Sequence, residues 1–110
     1  MNEIIYHKLI RDKIPEIIEK AGKKYSVRTL SSEELKKASL LKIKEEYEEL
    51  EKAQTPQEQK EELADLLEII ETFIHAHQFS KEEIEQIKEN KKQKRGGFEL
   101  GIFLEKTWEE

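Results

Sequence analysis

Two acidic segments near the middle of the chain carry the residue types best suited to chemistry. The first segment places Glu46 and Glu49 three residues apart, and the second gives Glu62 and Asp65 the same spacing. Carboxylates with this spacing lie on adjacent turns of one helix face, so two neighbouring antiparallel helices would bring four of them together. Because their charges repel at short range, a bound cation would stabilise the arrangement. Carboxylate oxygens are ligands that Mg²⁺ prefers, with Mn²⁺ as a second candidate, so the spacing predicts such a site.

A solvated acidic helix surface is the alternative interpretation of the same segments. The chain contains 25 aspartates and glutamates, and acidic pairs such as Glu33–Glu34 and Glu82–Glu83 occur elsewhere in it. One feature favours a metal site: both carboxylate pairs lie on the same flank of two predicted core helices that are separated by one turn. The spacing by itself leaves both interpretations open.

Composition narrows the classes of protein to which the chain can belong. With 110 residues it is expected to form one small domain, which gains stability by forming a homodimer or a higher oligomer. A net charge of -5 disfavours a general nucleic-acid binder, and the absence of cysteine excludes disulfides and thiolate metal sites. No apolar run approaches the roughly 20 residues that span a bilayer, and the N-terminus lacks a signal-peptide core. A cytoplasmic protein without membrane contact is therefore expected.

Helix-start and helix-stop signals predict an all-α domain of four helices over residues 1–110, with short extended segments at both ends. For the first helix, Asp12 is the predicted N-cap, Pro15 lies in the first turn and Gly22 ends it near Ala21. The other three helices begin at a serine or threonine that forms a capping box with a glutamate three residues later, namely Ser31 with Glu34, Thr55 with Glu58 and Ser80 with Glu83. They are predicted to end near Ala53, His77 and Lys94.

Apolar positions at helical spacing predict which faces point into the core. The predicted arc of the second helix contains Leu40, Ile43, Tyr47 and Leu50, and that of the third contains Leu63, Leu66, Leu67, Ile70, Phe73 and Ile74. Glu46 and Glu62 occupy matching shoulders of these arcs. Residues 26–30 are interpreted as a connector. Residues 98–104 alternate roughly at period two, which indicates either a short strand or an extended tail packed on its own or a partner subunit.

Two groups of basic residues are candidates for binding phosphate. Lys91, Lys94 and Arg95 precede a glycine pair, where they would either bind a triphosphate or complement the helix dipole in solvent. Lys8 and Arg11 form the second group. Arg11 would either pair with an acid on a helix surface or contact a ligand.

Three motifs together resemble a known enzyme family. Glu45-Glu46-x-x-Glu49, followed after twelve residues by Glu62-x-x-Asp65, resembles the signature of the all-α nucleoside triphosphate pyrophosphohydrolases. These include the MazG-like enzymes, dimeric dUTPases and phosphoribosyl-ATP pyrophosphohydrolase. The segments Lys8–Glu16 and Lys94–Phe98 resemble one MazG-like branch, predicted to hydrolyse non-canonical nucleotides. The resemblance covers nearly the whole chain, with its motifs in the family's order.

The resemblance implies Mg²⁺-dependent hydrolysis of a nucleoside triphosphate to the monophosphate and pyrophosphate. The implied metal ligands are Glu46, Glu49, Glu62 and Asp65; the implied catalytic residues are Glu45 and Glu46, with Glu45 orienting water or supporting the ligands. The basic residues expected to bind substrate are Lys91, Lys94, Arg95, Lys8 and Arg11. A second subunit is expected to complete the site. Two alternatives are phosphoribosyl-ATP pyrophosphohydrolysis and a non-catalytic helical dimerisation or regulatory module, although the Lys8–Glu16 segment favours the MazG-like branch over the former.

Overall fold

The computed structural model describes residues 2–110, which form four helices and no strand. The helices are α1 (Ile14–Lys20), α2 (Ser32–Lys52), α3 (Pro56–Ala76) and α4 (Lys81–Arg95). The prediction of an all-α fold with four helices is therefore confirmed. The chain divides into two compact units, Met1–Phe79 with α1 to α3 and Ser80–Glu110 with α4. Among the described residues, no helix has both the length and the apolar character needed to cross a bilayer.

The start of α2 follows the predicted capping box. The Glu34 backbone N–H donates to the Ser31 hydroxyl at 3.2 Å, and the Ser31 N–H donates to the Glu34 carboxylate at 3.0 Å. Arg28 donates two further hydrogen bonds to this carboxylate, at 3.2 and 2.8 Å. The pKa of Glu34 is lowered to about 2, chiefly by the hydrogen bonds from the Arg28 guanidinium and next by the one from the Ser31 N–H. Residues 26–30 form no strand, in agreement with their interpretation as a connector.

The turn between α2 and α3 is short and held by local hydrogen bonds. The Thr55 hydroxyl accepts from the Glu58 N–H at 3.1 Å, which is one of the two bonds of the predicted capping box, and Pro56 takes the first helical position. The Glu58 carboxylate accepts from the Gln54 N–H at 3.2 Å, one residue before the cap. Because three residues separate two helices that pack on each other, α2 and α3 form an antiparallel pair, called here the α2–α3 hairpin.

The start of α1 differs from the prediction. Asp12 is not the N-cap: Lys13 occupies that position and makes no side-chain capping bond. The helix begins instead from a backbone turn in which the Ile14 N–H donates to the Arg11 carbonyl at 3.0 Å. The predicted stop at Gly22 is confirmed. Gly22 has φ +79°, which suits glycine, and its N–H donates to the Glu19 carbonyl at 2.9 Å.

The contact between α2 and α3 is narrow, and the predicted apolar arcs are only partly correct. The buried residues on these helices are Ser39, Glu46, Ile69 and Ala76. Leu40 and Leu67, which were predicted to face the core, are 58% and 64% exposed. Ser39 and Ala76 are the two small side chains of this buried set, and the Ser39 hydroxyl is satisfied by donating to the Lys36 carbonyl at 3.0 Å. The contact therefore covers only part of each predicted arc, namely the half-buried Ile43, Leu50, Leu66, Phe73 and Ile74.

The second unit contains α4 and an irregular C-terminal segment. The Ser80 hydroxyl accepts from the Glu83 N–H at 3.1 Å, as predicted, and α4 ends at Arg95 before Gly96, whose φ is +81°. Of the two alternatives for residues 98–104, the short strand does not form; a turn closes there with the Gly101 N–H donating to the Phe98 carbonyl at 3.0 Å. The large apolar side chains after this helix are exposed: Phe98, Leu100, Ile102, Phe103, Leu104 and Trp108.

Candidate metal centre

Three carboxylates converge on one face of the α2–α3 hairpin. Glu46, Glu62 and Asp65 each offer one oxygen, and these oxygens lie within 4.8 Å of one another. The hairpin explains the convergence. Glu46 lies seven residues before Ala53 and Glu62 seven residues after Thr55, so the two lie at the same level of the antiparallel pair. Asp65 lies on the next turn of α3. Glu46 is buried, while the two acids of α3 are half-buried.

The electrostatics of this carboxylate cluster (Glu46, Glu62 and Asp65) favour uptake of a proton or a cation. The pKa of Glu62 is raised above its ordinary value. The first cause is loss of hydration, followed by hydrogen bonding with the Glu46 carboxyl and by the negative charges of Glu46, Asp65 and Glu49. Neutralising any one of these carboxylates would relieve repulsion on the others.

Lys42 supplies one cation from within α2. Its Nζ lies 3.2 Å from a Glu45 oxygen and 3.5 Å from a Glu46 oxygen, and its side chain is only 18% exposed. This residue was not among the predicted site residues. The signal was available, because Lys42 precedes Glu45 by three residues and Glu46 by four, the spacings that bring helical side chains into contact.

The segment before α1 supplies two more cations. Arg11 Nη2 donates to Asp65 Oδ1 at 2.6 Å, and Lys8 Nζ lies 3.8 Å from Glu45 Oε1. The pKa of Arg11 is raised, chiefly by its hydrogen bond to Asp65. The expectation that Arg11 pairs with an acid on a helix surface is confirmed. Substrate contact by Lys8 and Arg11 stays a prediction.

The carboxylate cluster fits a hard divalent cation such as Mg²⁺. All three donors are carboxylate oxygens, and three such ligands would leave half of an octahedron for water or phosphate oxygens. Oxygens bound to one Mg²⁺ at about 2.1 Å lie about 3 Å apart at adjacent positions and about 4 Å apart at opposite ones. A pair of oxygens at the 4.8 Å limit would therefore have to be drawn slightly closer by side-chain rotation.

Two other predicted acids lie outside this carboxylate cluster. Glu49 is exposed on α2, where its charge contributes to the raised pKa of Glu62. Glu45 is half-buried and is paired with Lys8 and Lys42. Direct metal ligation by Glu49 and a catalytic role for Glu45 stay predictions.

The remaining predicted substrate-binding residues lie in the second unit. Lys91, Lys94 and Arg95 are exposed near the end of α4, where the last turn carries a concentration of positive charge. That position suits complementation of the helix dipole. Phosphate binding by these three residues stays a prediction.

Comparison with known proteins supplies no family assignment. No protein-family model, no curated protein and no solved structure matched this chain. The interpretation of the carboxylate cluster therefore depends on its own geometry and on the sequence motifs that contain it.

Proposed function

We propose that this chain is a Mg²⁺-dependent nucleotide pyrophosphohydrolase that converts a nucleoside triphosphate, expected to be non-canonical, to the monophosphate and pyrophosphate. The observation that carries the proposal is the convergence of Glu46, Glu62 and Asp65 oxygens within 4.8 Å. The same three residues are among the metal ligands that the resemblance to MazG-like enzymes implies. The proposal is supported by this geometry together with the sequence motifs that contain the same residues.

The residues around the carboxylate cluster suit the proposed chemistry. Glu46, Glu62 and Asp65 would hold Mg²⁺, which supplies charge neutralisation and an activated water. Hydrolysis between the first and second phosphoryl groups consumes one water and releases the two products. Glu45, next to the cluster in sequence, would accept a hydrogen bond from water and so orient it. Arg11 and Lys8 lie beside these acids and would contact phosphate oxygens.

A second copy of the chain belongs to the proposal. Six large apolar side chains of the hairpin are exposed in the single chain, namely Leu40, Leu41, Tyr47, Leu63, Leu67 and Ile70. Their exposure supports a homodimer or higher oligomer in which such surfaces are covered. A nucleotide substrate also fits a cytoplasmic location.

The direct test is turnover of a panel of standard and modified nucleoside triphosphates with Mg²⁺. Wild type is expected to release pyrophosphate from at least one of them. Glu46→Gln and Asp65→Asn are expected to lose at least about 100-fold in kcat while keeping their helical spectrum. Glu48→Gln is the matched control, since Glu48 is an exposed acid of α2 outside the carboxylate cluster. Absence of turnover by wild type across the panel would reject the proposal.

One observation favours a second candidate, a non-catalytic helical module. The acids of the cluster already have cationic partners within the chain, Arg11 for Asp65 and Lys42 for Glu46. Under this alternative the ion pairs are structural, and Mg²⁺ has no effect on thermal stability. A Mg²⁺-dependent rise in Tm that disappears in Glu62→Gln would reject it.

A further inference from the structure

The two cations that contact the carboxylate cluster differ in how firmly they are held. Lys42 projects from α2, is 18% exposed and contacts Glu45 as well as Glu46. Arg11 lies in the segment before α1, is 59% exposed and reaches the cluster through Asp65. Lys42 is therefore fixed by its own helix and by two carboxylates. Arg11 projects from a stretch of chain without regular structure, so moving its side chain disturbs fewer contacts than moving that of Lys42.

Asp65 lies where an internal cation and a bound metal would meet. The Arg11 guanidinium is 2.6 Å from Asp65 Oδ1, while an oxygen of the same carboxylate lies within 4.8 Å of oxygens from Glu46 and Glu62. A carboxylate has enough lone pairs for two partners. However, a divalent ion and a guanidinium on one carboxylate would be only a few ångströms apart, where their like charges repel.

We propose that Arg11 is an internal counter-ion that a divalent cation displaces from Asp65. The inference rests on the proposed metal site and adds a residue that regulates it. In the metal-free protein, Arg11 offsets part of the negative charge of the cluster and ties residues 2–13 to α3. When a metal binds, Lys42 stays with Glu45 while Arg11 leaves Asp65. The released guanidinium is then available as a bidentate donor to a phosphate oxygen pair, which couples metal binding to substrate binding.

The affinity for a metal alone tests the exchange. Mn²⁺ is titrated calorimetrically into full-length wild type, Arg11→Gln and Arg28→Gln. Arg11→Gln is expected to bind about threefold to tenfold more tightly than wild type, with a difference that shrinks at high salt. Arg28→Gln is the matched control: it removes the same charge, but Arg28 pairs with Glu34 rather than with the carboxylate cluster. Equal or weaker binding by Arg11→Gln than by wild type would overturn the proposal.

A second readout follows the arginine itself. In NMR spectra of the side-chain Nε–Hε groups, the Arg11 signal is expected to shift on adding Mg²⁺ towards its position in metal-free Asp65→Asn. The Arg28 signal should stay in place, because its partner Glu34 is not in the cluster. An Arg11 signal that does not move while Mg²⁺ binds would also overturn the exchange.

The metal titrations of wild type and Arg11→Gln distinguish failure of the counter-ion role from failure of the metal site. If wild type binds metal and Arg11→Gln binds no more tightly, the counter-ion role fails while the metal site stands. If neither protein binds metal at millimolar concentrations, both fail. If Arg11→Gln binds metal where wild type does not, Arg11 is the group that holds the metal out, which supports the proposal.

Discussion

Glu46→Gln should abolish most of the stabilisation that Mg²⁺ gives the protein. Glu46 is the one member of the carboxylate cluster on α2, whereas Glu62 and Asp65 both lie on α3. A metal held by all three therefore links the two helices. The variant keeps the size of the side chain but leaves only two charged ligands, both on one helix.

The expected rise in Tm with Mg²⁺ follows from mass action, and the expected Tm of the variant without metal follows from the distances in the cluster. At a metal concentration ten times Kd, binding stabilises wild type by about 1.4 kcal/mol. For a domain of this length that is a rise in Tm of about 6 °C. In metal-free buffer, Glu46→Gln removes repulsion from two carboxylates and loses attraction to Lys42. The repulsion comes from two carboxylates with oxygens within 4.8 Å of a Glu46 oxygen, and the attraction comes from one ammonium at 3.5 Å, so the metal-free variant should melt no lower than wild type.

The assay is thermal unfolding followed by circular dichroism, with EDTA or with excess MgCl₂ at matched ionic strength. Wild type and the control Glu48→Gln should show the full rise in Tm, and Glu46→Gln should show about 1 °C or less. A Glu46→Gln protein that keeps the whole Mg²⁺-dependent rise would refute the assignment of Glu46 as a ligand. A variant that melts far below wild type without metal would refute the view that the cluster is repulsive.

Three further predictions concern stability without metal. Because the pKa of Glu62 is raised from 4.5, the stability that its protonated form contributes is complete below that pH and is lost as pH rises through the raised value. In urea unfolding, Glu62→Gln should lack this loss. Parallel pH profiles for the variant and wild type would contradict the prediction. Because the pKa of Glu34 is lowered from 4.5 to about 2 by Arg28, its contribution is present above pH 4.5 and lost as pH falls towards 2. The stability difference between wild type and Glu34→Gln should therefore shrink over that acid range, and a constant difference would contradict the pairing. Ser39→Leu should lower the free energy of unfolding by about 1–3 kcal/mol in urea titrations, since Ser39 is fully buried in the narrow helix contact; a neutral result would show that the contact can widen.

The helix boundaries could be predicted wherever they are set by local hydrogen bonds. Ser31, Thr55 and Ser80 each accept a bond from the backbone N–H three residues later, so the chain within four residues determines the helix start. Asp12 failed as a cap because the backbone turn from Arg11 to Ile14 starts α1 at Ile14, with Lys13 as an N-cap that makes no side-chain bond. Residue preference alone does not distinguish these two ways of starting a helix.

The core-facing arcs were predicted less well because periodicity locates apolar residues, not the line of closest helix approach. Leu40 and Leu67 belong to the predicted arcs yet are exposed, whereas Ser39, Ile69 and Ala76, which the arcs omit, are buried. Which part of each arc is buried depends on how the two helices pack, and that is a property of the pair rather than of either sequence.

The candidate site was partly visible in the sequence. The equal spacing of the two carboxylate pairs and their matching flanks predicted that four carboxylates converge, and three of them, Glu46, Glu62 and Asp65, do so. Lys42 carried a readable signal in its spacing to the acids of α2. No sequence signal indicated that Arg11 pairs with Asp65, because these residues are 54 positions apart and meet only in the folded chain.

The most direct test of the proposed function identifies the products of hydrolysis. ³¹P NMR of the best nucleoside triphosphate from the panel, incubated with wild-type protein and Mg²⁺, should show the monophosphate and pyrophosphate growing in equal amounts. The signals should be absent with EDTA and strongly reduced with Glu62→Gln. Release of the diphosphate and inorganic phosphate, or equal product formation by the folded Glu62→Gln variant, would contradict pyrophosphohydrolysis at the carboxylate cluster.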